Sequence, residues 1–301
     1  MRVKKFLAKI PSLENKTYVI TGANSGLGFA LSCHLVSKGA RVIMANRSAK
    51  RSAEAIEKLL AKFPSAKVSV FPFDQSKKAT IETFVNTLIS HNIKLDGVVF
   101  NAGVYWPALD AKTENGVALT FGVNFVGNYI LTQTLANRGL ITAKTRLIYI
   151  TSPAAVKKLS PKLLARVKSG QKMTRLKQYA VTKAALNTFV LGLMHKDKTI
   201  PFEVKGQAYL YHPGISESNI ARFKWKFFNK IAHGFMRTFF HSPEQAVLGG
   251  LLALVTDKDM NGKMFVPKSP LETSGFPRVK KIDEKLLSHL SLLMNETQKL
   301  I

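Results

Sequence analysis

The sequence predicts a doubly wound α/β fold, a parallel sheet with helices on both faces. Short β-branched and aromatic runs alternate with helical patterns of about 10 to 20 residues, the pattern of strands joined by crossover helices. A glycine-rich turn joins the first strand pattern to the first helical one. No linker rich in Pro, Gly or Ser divides the 301 residues, and 46% hydrophobic content suffices for one large core. Residues 1–301 therefore read as a single domain.

Strands are expected at 16–21, 41–45, 68–73, 95–100, 146–151, 203–211 and 263–266. The apolar run Tyr18-Val19-Ile20 marks the first as buried. Helical patterns run from the glycine turn to 37, then over 51–62, 80–91, 119–137, 178–195 and 243–255. An amphipathic tail, 282–301, packs on the domain or on a partner subunit. In such sheets ligands bind beyond the carboxyl ends of the strands, and the motifs below all fall there.

Composition narrows the function classes. The one cysteine, Cys33, excludes an intrachain disulfide; it lies in a helical pattern, fits a small buried apolar role, and suits a reducing compartment. The longest apolar run, about ten residues at 246–255, is short of the roughly 18 that a membrane span needs. Residues 1–11 are basic but lack a long apolar stretch and a small-residue cleavage site, so they do not read as a secretory signal. A cytoplasmic location follows, with peripheral contact at an anionic membrane as an extension of it. The formal charge of +27 would attract nucleic acid, anionic lipid or an anionic ligand, but the lysines are spread over nearly every helix, so compositional bias explains it equally well. No nucleic-acid-binding module accompanies the charge, so no specific nucleic-acid partner is expected. No metal site is expected.

Thr21-Gly22-Ala23-Asn24-Ser25-Gly26-Leu27-Gly28 follows the first strand and opens the first helix. Glycine allows a tight turn and close approach of a pyrophosphate, and the helix N-terminus offers free N–H groups and a favourable dipole. The spacing G-x-x-x-G-x-G differs from the general dinucleotide fingerprint, and a plain structural loop is the competing reading. At the end of the second strand, where NAD-binding sites usually carry an acid, this chain has Asn46-Arg47, with Lys50 and Arg51 close behind. A guanidinium there suits the 2′-phosphate of NADP(H) over NAD(H); the alternative is a solvated surface charge. Asp74, beside Gln75, either holds an adenine edge or caps the next helix.

Tyr179 and Lys183 stand four residues apart at the start of a helical pattern, which puts phenol and ammonium on one face. A cation so placed favours the phenolate, and a phenol so tuned exchanges protons near neutral pH. Of seven tyrosines only Tyr179 has a lysine four positions on. Ser152, at the end of the fifth strand, can donate a hydrogen bond to a substrate oxygen, with Thr151 as its rival for that place. Asn124 lies mid-helix, where Asn is a poor helix former, and either serves a polar role or bonds a neighbouring carbonyl.

Four features in order resemble the short-chain dehydrogenase/reductase family: T-G-x-x-x-G-x-G at 21–28, Asn101-Ala102-Gly103, Ser152, and Y-x-x-x-K at 179–183. The likeness runs from about residue 15 to 270. It implies a Rossmann-type fold, a nicotinamide cofactor, and a carbonyl or alcohol substrate. It also implies roles: Tyr179 as general acid/base, Lys183 on the nicotinamide ribose and tuning Tyr179, Ser152 orienting the carbonyl, and Asn124 holding a relay water. Asn101, Ala102 and Gly103 border the cofactor, and the turn Pro213-Gly214-Ile215 lies near the nicotinamide. The gap from Ser152 to Tyr179 is longer than is common in the family. It resembles the inserts of retinol dehydrogenases and protochlorophyllide reductases, as does Asn46-Arg47. That insert, 156–177, carries eight Lys or Arg and no acid.

Segments 104–115, 153–177 and 215–241 should rim the substrate site, the last two as insertions. The third interleaves Phe223, Trp225, Phe227, Phe228, Phe235, Phe239 and Phe240 with basic residues. Core packing, an apolar substrate lid and an interfacial helix on anionic lipid are its competing readings. The best overall reading is an NADP(H)-dependent oxidoreductase for an apolar carbonyl or alcohol, with homo-oligomers common among its kind. The alternative is a non-catalytic NADP-binding regulatory or scaffold protein, against which the intact Ser152, Tyr179 and Lys183 argue.

Overall fold

A computed structural model describes residues 3–171, 173–214 and 242–301. Among these, eight strands form one sheet: β1 (Thr17–Thr21), β2 (Arg41–Asn46), β3 (Val68–Pro72), β4 (Gly97–Phe100), β5 (Arg146–Ile150), β6 (Gln207–Tyr211), β7 (Lys263–Pro267) and β8 (Pro277–Lys281). Their order is β3-β2-β1-β4-β5-β6-β7-β8, with β1 to β7 parallel and β8 antiparallel to β7. The chain winds outward from β1 to β3, then returns to lay β4 on the other side of β1. The doubly wound parallel fold expected from the sequence is the fold observed.

The period-2 alternation of a strand divides each apolar run between two cores. Val19, Ile43, Val98, Leu147 and Tyr149 face one core, which also holds Phe189. Ile20, Val42, Met44, Val99, Ile148 and Tyr211 face the other, with Leu248 and Leu251. At the start of β4, a Cβ on Gly97 would press on Leu254 and on the Tyr18 ring. A residue without a side chain lets the helix Leu248–Val255 close onto the sheet there.

The structure corrects several element readings. The expected helix 119–137 is interrupted: Gly122–Val126 forms a π-helical turn between Leu119–Phe121 and Gly127–Asn137. Side chains take carbonyls of this turn, Gln75 donating to Val123 O and Asn128 to Asn124 O. Expected helix 243–255 restarts at Val247. Within the insert, Pro161–Ser169 is a helix that periodicity did not reveal, although its end signals are strong: Ser160 as N-cap, Pro161 in the first turn, and Gly170 left-handed at φ 75°. Two other elements were also missed, the short helix Val3–Leu7 and β8, whose basic, exposed residues disguise an edge strand. Segment 215–241, with Ile215 and the aromatic–basic pattern, lies outside the described residues.

The tail folds as a 3₁₀ turn, Glu284–His289, and a helix, Leu290–Gln298. Leu290, Leu293 and Met294 are buried on the main core. Gln298 Nε2 donates to the Tyr129 hydroxyl at 2.7 Å, and Glu296 pairs with Lys168 of the insert helix. Those two bonds tie tail, insert and the helix Gly127–Asn137 together. Cys33 is buried, and burial raises its thiol pKa, as suits a packing role.

Leu293 is fully buried, so Leu293→Ala should destabilise the protein by about 2–5 kcal/mol. Urea unfolding measures it; a loss below about 1 kcal/mol would mean that the tail does not contribute to the core.

Candidate functional site

An open cavity of about 470 Å³ lies at the carboxyl edge of the sheet, around the switch point between β1 and β4. Gly22, Asn24, Ser25, Gly26 and Leu27 form its floor. Arg47, Ser48 and Arg51 close one end, Asp74 and Gln75 one wall, and Asn101, Ala102, Gly103 and Val104 the other end. Twelve of the residues singled out from the sequence therefore line one space. Ser48 was not anticipated; it is the N-cap of the helix Ala49–Lys62, and its hydroxyl accepts from Arg51 N, a signal that Ser followed by a helical pattern does carry.

The floor suits an anion. Ser25 is the N-cap of the eleven-residue helix Gly26–Val36 but makes no side-chain capping bond, so the first-turn N–H groups face the cavity without a side-chain acceptor. Gly22 and Gly26 have φ of 65° and 56°, a conformation that side-chain-bearing residues resist. Neither Arg47 nor Arg51 is paired with an acid among the described residues, and both are exposed. Gly28 sits behind the floor, where a Cβ would strike Asn101 Nδ2 and Gly22 O. Asn46 is buried behind Arg47, its amide without a hydrogen-bond partner among the described residues.

A polar network, buried at Gln75 and half-buried at Asn101, braces the cavity. Asn101 Nδ2 donates to Thr21 O at 2.7 Å and Gly22 O at 3.1 Å, while Thr21 Oγ1 accepts from the backbone N–H of Asn101 and Ala102. Gln75 Nε2 donates to Val123 O at 2.6 Å and to Asn128 Oδ1 at 2.9 Å. Asp74 accepts from Ser76 N and Ser76 Oγ, so it shapes the turn after β3 while still lining the cavity. Asn124 bonds the neighbouring backbone: Oδ1 accepts from Val104 N at 2.7 Å and Nδ2 donates to Val104 O at 2.8 Å. Its side chain thus holds the loop that ends the cavity.

The second group gathers beyond Val104. The Tyr105 ring meets the Tyr179 ring edge-on, with centroids 4.8 Å apart; Tyr105 was not foreseen, since nothing in sequence spacing links them. Lys183 is buried, its Nζ 5.6 Å from the Tyr179 ring centroid and donating to Ile150 O at 2.7 Å. Burial lowers its pKa from 10.5 to about 8. Ser152 is half-buried just past β5, whereas Thr151 is buried and donates to Asn187 Oδ1 at 2.5 Å. Ser152 Oγ accepts from Ala154 N at 3.2 Å. Pro213 and Gly214 follow β6, beside Ser152, because Thr151 N donates to Tyr211 O.

This architecture agrees with the comparisons. A family model described as short chain dehydrogenase matches residues 16–205, and the chain belongs to that family. A short-chain dehydrogenase/reductase of Phomopsis amygdali is 38% identical over 155 residues, 49% of this chain and 46% of that protein. Mouse retinol dehydrogenase 12 is 29% identical over 285 residues, covering 91% of this chain and 84% of the relative. A crystal structure of a Mycobacterium paratuberculosis protein superposes with a TM-score of 0.70, covering 98% of this chain and 97% of the other at 22% identity, a likeness of fold. The matched region spans less than half the length of the Phomopsis relative.

The Lys183 shift has a consequence for stability. The unfolded chain holds the proton up to about pH 10.5 and the folded chain only to about 8. The unfolded state thus binds more protons between these values, so Lys183 disfavours folding fully below pH 8, and that penalty is lost as pH rises through the window. Relative to wild type, Lys183→Met should gain most stability near pH 7 and least near pH 10.5. Urea unfolding at both pH values checks this; a pH-independent difference would contradict it.

Proposed function

We propose that this protein is an NADP(H)-dependent oxidoreductase that transfers a hydride between the nicotinamide and an apolar carbonyl or alcohol. The observation that carries the reading is the cavity that joins an anion-suited helix N-terminus, Arg47 and Arg51 to Val104, whose neighbour Tyr105 meets the Tyr179 ring beside Lys183. The residues present fit the cofactor. Gly22, Asn24, Ser25, Gly26 and Leu27 would take the pyrophosphate, Arg47 and Arg51 the 2′-phosphate, Asp74 and Gln75 the adenine side, and Gly103 the approach to the nicotinamide.

The cofactor, when bound, supplies the hydride chemistry. Tyr179 exchanges the proton at the substrate oxygen, Ser152 donates a hydrogen bond to that oxygen, and Lys183 keeps positive charge beside the phenol while holding β5 through Ile150 O. Asn124 sets the position of Val104. Support for an apolar substrate comes from the likeness to a relative named for retinol and from the aromatic wall of Tyr105 and Trp106. We read the chain as one domain, with 153–177 and 215–241 at the substrate rim and 282–301 as a terminal cover. Its basic surface suits peripheral contact with an anionic membrane; among the described residues no helix is long and apolar enough to cross one.

Two experiments test this. Titration with NADPH and NADH should show preference for NADPH, and Arg47→Ala should weaken NADPH by about 10- to 100-fold with little change for NADH, as a charge-assisted phosphate contact contributes about 1.5–3 kcal/mol. Equal loss for both cofactors would remove Arg47 from the 2′-phosphate. Tyr179→Phe should abolish turnover with a carbonyl substrate found by screening, while NADPH affinity stays within about threefold; retained turnover would end the acid/base assignment.

A further inference from the structure

The turn after β6 is held by a side chain that no part of the proposed chemistry uses. His212 is buried, and its two ring nitrogens have opposite duties. Nδ1 accepts from the backbone N–H of Gly214 at 3.2 Å. Nε2 lies 3.0 Å from Glu272 Oε2. An amide N–H can only donate and a carboxylate only accept, so both bonds exist together only in the neutral ring with its proton on Nε2.

Glu272 is itself fixed. Arg278 Nη2 and Lys280 Nζ reach its Oε1 at 3.0 Å and 2.7 Å from β8, and its backbone is left-handed at φ 54°. The turn has little room to adapt. Gly214 has φ 75°, and a Cβ there would strike Thr273 O in the same loop that carries Glu272. The charged groups facing His212 among the described residues are Glu272, Lys280 and Arg278. Burial and the two cations lower its pKa, while Glu272 opposes them.

We propose that His212 is a positioning residue that keeps the Pro213–Gly214 turn in shape only while neutral, so that acid weakens the nicotinamide end of the cofactor site specifically. The inference rests on the proposed function, in which this turn borders the nicotinamide. A proton on Nδ1 would set two N–H groups against each other and release Gly214 N. Glu272 and β8 are then the far support of the cofactor site, reached through one imidazole.

The test compares NADPH with 2′-phospho-ADP-ribose, which carries the same pyrophosphate and the same titrating 2′-phosphate but no nicotinamide. Dissociation constants are measured by calorimetry from about pH 8 down to pH 5 on wild type, His212→Asn and Glu272→Gln. In wild type the ratio of the NADPH constant to that of 2′-phospho-ADP-ribose should rise about three- to tenfold on acidification, the worth of one hydrogen bond. His212→Asn, whose amide oxygen can still accept from Gly214 N, should give a flat ratio. Glu272→Gln removes the charge that favours imidazolium, so its rise should move to lower pH; that shift also carries the test if His212→Asn fails to fold. A flat wild-type ratio, or the same rise in His212→Asn, overturns the inference while leaving the function intact. Failure of both ligands to bind at any pH removes the proposed function and this inference with it.

Discussion

The site depends on one half-buried constraint: Asn101 ties the end of β4 to the end of β1 through Thr21 and Gly22. Two parallel strands that diverge at their carboxyl ends would leave their last carbonyls unpaired, at a cost comparable to a lost hydrogen bond each. The Asn101 amide satisfies those of Thr21 and Gly22, and Thr21 Oγ1 satisfies the N–H groups on the opposite side. The glycine turn is thereby held against Ala102, where a Cβ on Gly22 would come within 3.0 Å of Ala102 Cα. The anion-suited helix N-terminus is aimed by this clamp.

A second tier of polar side chains extends the clamp to the rest of the cavity. Gln75 and Asn128 hold the π-helical turn open, and Asn124 uses its whole amide to fix Val104. Gly127 is needed at the crossing, where a Cβ would run into Gln75 O. Buried networks of this kind rigidify a site only when nearly every member is satisfied. Gln75 Oε1 is an exception, buried and without a partner among the described residues. The catalytic candidates are held differently, by packing and by single bonds: Tyr179 against Tyr105, Lys183 on Ile150 O, and the turn after β6 on His212.

Much of this was legible from residue order. Glycines 22, 26 and 28, the Asn101-Ala102-Gly103 segment and the Tyr179/Lys183 pair are local patterns whose geometry follows from turn and helix rules, and they lie at the sheet's carboxyl edge as expected. The choice between Thr151 and Ser152 rests in the sequence on register alone, and no spacing shows that Asn187, 36 positions away, takes the threonine hydroxyl. The insert helix Pro161–Ser169 escaped because its apolar face is narrow, although its caps were in view. Strand β8 escaped because an exposed basic run resembles a loop until a neighbouring edge pairs with it.

By itself the sequence determined the order of strands and helices, the parallel sheet, and which residue types could meet a dinucleotide. Those depend on local periodicity and on turn chemistry, which act over a few residues. Only the tertiary structure decided that Asn124 holds Val104, that Tyr105 backs Tyr179, and that His212 joins the β6 turn to Glu272 sixty residues further on. Such partners are chosen by the packing of distant strands and loops, and no spacing within one element encodes them.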